Sequence, residues 1–186
     1  MRIAKYLRKD QDTVLRFLDV FGGGSAALGA SNKRAQAGFF VMAGAFIDEY
    51  VEGVFFKKVD LLLKALEESG FPTEDGPIAA MRAEQEKSRE AAAHLSGAAK
   101  AWQAGDEEAR IDVSWESSEY SSTVRRHLDR LKNLIFPLLE QNISPEDEHK
   151  ISEGMNKILF ESSMQGDESK FLKLIETLEE ELGDWK

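Results

Sequence analysis

The sequence predicts an all-α protein: an up-and-down four-helix bundle with additional C-terminal helices. Three observations carry this expectation. Proline is scarce, at 4 in 186 residues. The β-branched residues come in short runs, while Ala, Leu, Glu and Lys, which lose least on entering a helix, dominate. Apolar residues recur at helical spacing in stretches punctuated by Gly and Pro.

The stretches follow in order. Tyr6 to Phe21 is read as the first helix, with Leu7, Val14, Leu15, Leu18 and Phe21 along one stripe and Gly-Gly-Gly-Ser at 22–25 as its stop. A loop of small residues leads to a long second helix from about Asn32 to Ser69, closed by Gly70 with Pro72 barring its resumption. Pro77 opens a third, running to about Ala104. A fourth starts near Asp112 or Ser114 and reaches Gln141, with Pro137 bending its last turns. Ser144-Pro145-Glu146-Asp147 reads as an N-cap, a proline at the first helical position and an acidic reply to the cap. It starts a fifth helix, to about Ser162. Gly166-Asp167 separates a sixth, from about Glu168 to Leu182, with Phe171, Leu174, Ile175 and Leu178 as its stripe. The expected division is a bundle over 1–143 and C-terminal helices over 144–186.

Composition narrows the function classes. The formal net charge of −10 argues against nucleic acid and anionic membranes, which call for a basic footprint. No apolar run reaches membrane-spanning length, and the N-terminal residues lack a signal-peptide core, so a cytoplasmic setting is the expectation. With no cysteine, disulfides, zinc–thiolate sites, iron–sulfur clusters and cysteine nucleophiles are excluded. The three histidines, His94, His127 and His149, are few for a metal or acid–base constellation.

The second helix carries an odd pairing. Phe56 and Asp60 are four residues apart and share a helix face, so an aromatic and a carboxylate are expected to look inward together. Around them stand Phe46-Ile47, Tyr50, Glu52, Phe55-Phe56, Lys58 and Val59-Asp60, then Leu66-Glu67-Glu68-Ser69-Gly70-Phe71-Pro72. Glu84-Gln85-Glu86-Lys87-Ser88-Arg89 lies in the third helix, and His127-Leu128-Asp129-Arg130-Leu131 with Phe136-Pro137 in the fourth. In this order and spacing the chain resembles the hemerythrin-like, or HHE cation-binding, family in its stand-alone bacterial and archaeal form. The likeness covers most of residues 7–160.

That resemblance implies a four-helix bundle around two irons, held by histidines from all four helices and by two carboxylates, each four residues after a histidine. It also implies where this chain departs. Gln11 stands at the first-helix histidine, Phe56 at the second-helix histidine, Gln85 at the third and Leu131 at the last carboxylate. His127 is kept, and Asp60 keeps a carboxylate on a shorter arm. Phe and Leu cannot ligate, and neutral amides are weak donors to iron. No cofactor is therefore expected. Phe56 and Leu131 are read as filling the ligands' volume. Asp60 and His127 are read as a buried hydrogen-bonded pair helped by Gln11 or Gln85, or as the remnant of a single-metal site.

The remaining features read as ordinary surface. Glu84, Glu86 and Arg89 suit a helix-face ion-pair set, Lys57 and Lys58 a solvated face, and Ser114 to Ser122 a helix N-terminus. His94 and His149 are isolated. The apolar face of the last two helices, with Met155, Ile158, Leu159 and Phe160, either packs across the bundle or forms a homodimer or partner surface. The expected role is non-catalytic: binding, sensing or scaffolding, toward an unidentified protein partner or small ligand. The alternative is a metal-binding protein with an altered, mononuclear or weak site around Asp60 and His127. An enzyme with a non-metal pocket has no paired acid–base set behind it.

Overall fold

A computed structural model describes residues 2–164 and 168–186, and the described residues are all-helical with no strand. Six helices follow one another. Helix α1 is Arg2–Gly29. Helix α2 covers 37–68 as an α-helical Ala37–Phe46, a π-helical Ile47–Phe55 and an α-helical Phe56–Glu68. Helix α3 is Gly76–Gln103. Helix α4 covers 109–142 as Ala109–Arg130, a π-helical Leu131–Ile135 and Phe136–Asn142. Helices α5 and α6 are Pro145–Ser163 and Ser169–Asp184. The expected separator at Gly166-Asp167 lies outside the described residues.

Four boundaries differ from expectation, the first being the start of α1 at Arg2 rather than Tyr6. Helix α1 does not stop at the triple glycine but runs on to Gly29. The reason lies in packing: a Cβ on Gly24 would strike the ring of buried Phe39, and one on Gly23 would sit 2.6 Å from Leu182. These glycines let two neighbouring side chains reach the α1 backbone. Helix α2 starts at Ala37 rather than Asn32, because Asn32 is spent on the turn, accepting from the backbone of Arg34 and donating to the Trp185 carbonyl. Helix α4 starts a turn early, at Ala109. Two boundaries stand as read, one stop and one start. Gly70 takes φ +101° after the last turn of α2, a conformation that suits glycine. Ser144 accepts from the Asp147 amide at 3.1 Å at the head of α5.

The two π-helical stretches were not foreseen. Pro137 accounts for the second. Its ring would meet the carbonyl of Asn133 in a regular helix, and the wider i→i+5 winding just upstream relieves that conflict. No residue within Ile47–Phe55 dictates the first.

Helix α1 packs along α4, α4 along α3, and α3 along the first part of α2, while α5 and α6 lie over α1 and α2. Aromatic rings fill the interior. Phe17 of α1 stacks on Phe46 of α2 at 4.3 Å, and Phe171 of α6 meets Phe46 and Tyr50 at 6.4 and 5.0 Å. Trp185 closes the other end against Phe39 at 4.9 Å. The α1 stripe includes Ile3, Leu7, Val14, Phe17, Leu18 and Phe21, but Leu15 lies outside it and is exposed. On α5, Met155 is buried and Phe160 is exposed.

The glycines of α1 give a direct test. Nothing lies within 4 Å of a Cβ on Gly22. Gly22→Ala is expected to stabilise the fold by about 0.5–1 kcal/mol, the helix-propensity difference. Gly24→Ala gains the same propensity but displaces Phe39, and is expected to destabilise by about 1–3 kcal/mol overall. Urea melts of the two variants beside the parent decide it; equal stabilisation by both would refute the packing role of Gly24.

Candidate functional site

Two polar groups lie inside the protein, one on each side of α2. The first joins α1 to α2. Lys58 donates from Nζ to Asp10 Oδ2 at 2.8 Å, and Tyr50 donates from Oη to Asp10 Oδ1 at 2.6 Å. All three side chains are buried, Lys58 to 4% exposure. Burial, then the charge of Asp10, pushes the Tyr50 hydroxyl far up, so it stays a donor. Lys58 thus departs from the solvated face expected for it, whereas Lys57 is exposed. A signal was present. Leu7, Asp10 and Val14 follow i, i+3, i+7 spacing, which puts Asp10 on the buried stripe of α1.

The second group lies where α2, α3 and α4 meet, and contains most of the positions singled out by the family resemblance. His127 is buried, with the ring of Phe56 edge-on at 5.1 Å. Phe56 is 2% exposed and Leu131 0%, so both are core. Asp60 departs from expectation. It is exposed, and it makes no hydrogen bond to His127. The reason is helical precession: at 3.6 residues per turn, a step of four residues over-rotates by about 40°. The buried stripe of this part of α2 is Phe56, Val59, Leu62, Leu63 and Leu66. Phe56 occupies its edge, and Asp60 falls beyond it.

Asp60 instead lines a groove of about 620 Å³ with Lys64, Arg82, Gln85 and Arg89. Protein crowding there desolvates its carboxyl and pushes it up, against the opposing pull of Arg82, Arg89 and the nearby Gln85 amide, which falls short of a hydrogen bond to it. Gln85 itself is buried. Gln11 on α1 is half-buried and makes no hydrogen bond among the described residues.

The partner that His127 faces is Glu84, with Nδ1 3.8 Å from Oε1, beyond hydrogen-bond reach. Glu84 is buried and accepts from Arg130 Nε at 2.9 Å. Burial works to raise its carboxyl, but His127 and Arg130 prevail and hold it below the usual range. The helix-face reading was therefore wrong for Glu84 and right for Arg89, which bonds Glu86 at 2.6 Å and Glu52 at 3.1 Å. The spacing of Met81, Glu84, Ser88, Ala91 and Leu95 would have placed Glu84 on the inner face. Two turns back along α4 from His127, Tyr120 is fully buried, and burial followed by the charges of Glu52 and Asp48 raises its hydroxyl well above the ordinary value. Gln85 Nε2, Tyr120 Oη, Thr123 Oγ1 and both ring nitrogens of His127 have no protein partner. Buried polar atoms of this kind are normally met by ordered water.

The residues do not fit a di-iron centre. Two of the six positions are packed apolar side chains, and Asp60 lies on the outer wall of a groove. Among the described residues, no three His, Asp or Glu side chains converge on a point where they could hold a metal. His94 and His149 are exposed, facing Glu116 at 3.5 Å and Glu153 at 3.1 Å.

Two outcomes are expected. Lys58→Met alone strands the Asp10 carboxylate in the interior and should cost about 3–5 kcal/mol, while Lys58→Met with Asp10→Leu should recover most of that loss in a chemical melt. Non-recovery would show that the charges matter for more than each other. For Asp60 the sign follows from its raised carboxyl. The folded state holds the proton more tightly, so ionisation at neutral pH opposes folding. Asp60→Asn should raise the melting temperature at pH 7, and the gain should shrink on acidification and vanish only below the unfolded-state carboxyl value of about 3.9, where the side chain is protonated in both states. A gain that persists or grows on acidification would contradict the assignment.

In comparisons with known proteins, no family model, no curated protein and no solved structure matches this chain.

Proposed function

We propose that this chain is a hemerythrin-like protein in which α1 to α4 form the four-helix bundle and the iron layer has given way to a packed interior, leaving a non-catalytic binding or scaffold role. The observation that carries this reading is the burial of Phe56 and Leu131 beside His127, in two of the positions that the resemblance assigns to ligands. A buried aromatic and a buried leucine contribute a few kcal/mol each to the core and nothing to a metal. The ordered likeness of helix motifs described above supplies the family half of the reading. The non-catalytic half rests on chemistry: His127 has no hydrogen-bonded acid, base or nucleophile, and its nearest carboxylate is committed to Arg130. The alternative, a single metal between Asp60 and His127, draws less support, because the two side chains face different surroundings.

Iron loading tests the reading. Protein from iron-supplemented cells is expected to carry far less than two irons per chain by elemental analysis and to lack near-ultraviolet oxo-iron bands. A revertant carrying Gln11→His, Phe56→His, Asp60→Glu, Gln85→His and Leu131→Glu should lose stability without metal and recover iron binding in titration. Stoichiometric di-iron in the parent would refute the loss. A revertant that folds as a helical protein yet binds no iron would refute the family alignment.

A further inference from the structure

Among the described residues, the N-terminal end of α4 carries the most exposed pair of large apolar side chains on one helix face. Ile111 is 74% exposed and Trp115 72%, and their i, i+4 spacing stacks them on that face. Beside them, α4 and the end of α1 enclose a groove of about 610 Å³ that includes Leu28, Ser31, Ser114 and Ser118. Trp102 and Trp185 are by contrast buried. Tryptophan is costly to leave in water and is enriched among the residues that anchor interfaces.

The surroundings of this pair are acidic. Glu107, Glu108 and Asp112 are exposed around it. Acidic residues suit a helix N-terminus through its dipole, which accounts for their position but not for the two apolar side chains among them. The basic residue lining the groove, Arg110, is already engaged: its guanidinium lies 4.9 Å over the Trp102 ring, donates to the Asn32 carbonyl at 3.1 Å and stands 3.6 Å from Glu107. A second copy of this chain would bring the same acids against themselves, on molecules of charge −10.

We infer that the Ile111–Trp115 face and its groove dock a basic amphipathic helix of a partner protein, with an apolar residue seated in the groove beside Trp115 and Lys or Arg side chains opposite Glu108 and Asp112. This is the helix-in-groove mode, with charge setting orientation and partner choice. It gives the binding role proposed above a place on the molecule, and it depends on that role but not on the loss of iron.

The probe is a tryptophan-free amphipathic peptide of leucine and lysine in helical register, titrated into the full chain with fluorescence and calorimetry. Trp115 supplies the exposed emission, so docking should shift it to shorter wavelength and affinity should fall with salt. Ile111→Ser with Trp115→Ala should weaken binding by about tenfold or more. Phe160→Ser with Met164→Ser, at a second exposed apolar pair, should leave it unchanged. A leucine–glutamate peptide should not bind. Circular dichroism checks that both surface variants keep the helical fold. The proposal is overturned by absence of peptide binding, by equal loss in both variants, by binding of the acidic peptide, or by a dimer in sedimentation that Trp115→Ala dissolves. Iron content is read separately, so failure here leaves the metal question standing on its own result.

Discussion

The 2.8 Å contact between Lys58 and Asp10, closed off from water, fixes how the first two helices meet. An unpaired charge in that position would cost several kcal/mol, so any sliding of α1 along α2 strands both partners. Tyr50 occupies the second oxygen of Asp10 and extends the constraint by two turns of α2, through the π-helical stretch. Its ring then forms part of the surface on which Phe171 of α6 rests. The placement of the last helix is thus built on a side chain already held by the buried charge.

The opposite side of α2 is held differently. There the interior is a mixture: Phe56 and Leu131 provide close packing, while Gln85, His127 and Glu84 bring polar atoms beside them. Arg130 and Arg89 reach in from the surface and offset Glu84 and Glu52. The layer is therefore neither an apolar core nor an open ligand sphere. Its carboxylates are engaged with arginines, and its one imidazole lies against an aromatic edge. A metal would have to displace these arginines and two packed side chains together, which gives the iron-free reading its physical basis.

Charge is distributed unevenly over the outside. The groove beside Asp60 mixes both signs, with Arg82 paired to Glu67 and Arg89 to Glu52 and Glu86. The Ile111–Trp115 end of α4 has acids around apolar side chains, and its arginine is shared between Trp102, the Asn32 carbonyl and Glu107. The Asp60 groove is neutralised by its own ion pairs, whereas Glu108 and Asp112 beside the apolar pair have no ion-pair partner among the described residues.

The sequence by itself determined the helical class, the number of helices and several of their ends. Gly70 and Ser144 act through their own backbone and side chain, so a local reading finds them. It also determined that Phe56 and Leu131 cannot bind a metal, since that follows from their atoms alone. Tertiary structure decided the rest. The triple glycine reads as a stop until Phe39 and Leu182 press on it, and both belong to other helices. Lys58 reads as surface until Asp10, 48 residues away, meets it. Asp60 reads as inward until the drift of a 3.6-residue turn carries it past the buried stripe. In each case the deciding partner, or the deciding angle, belongs to how helices meet, and a pattern read along one helix does not contain it.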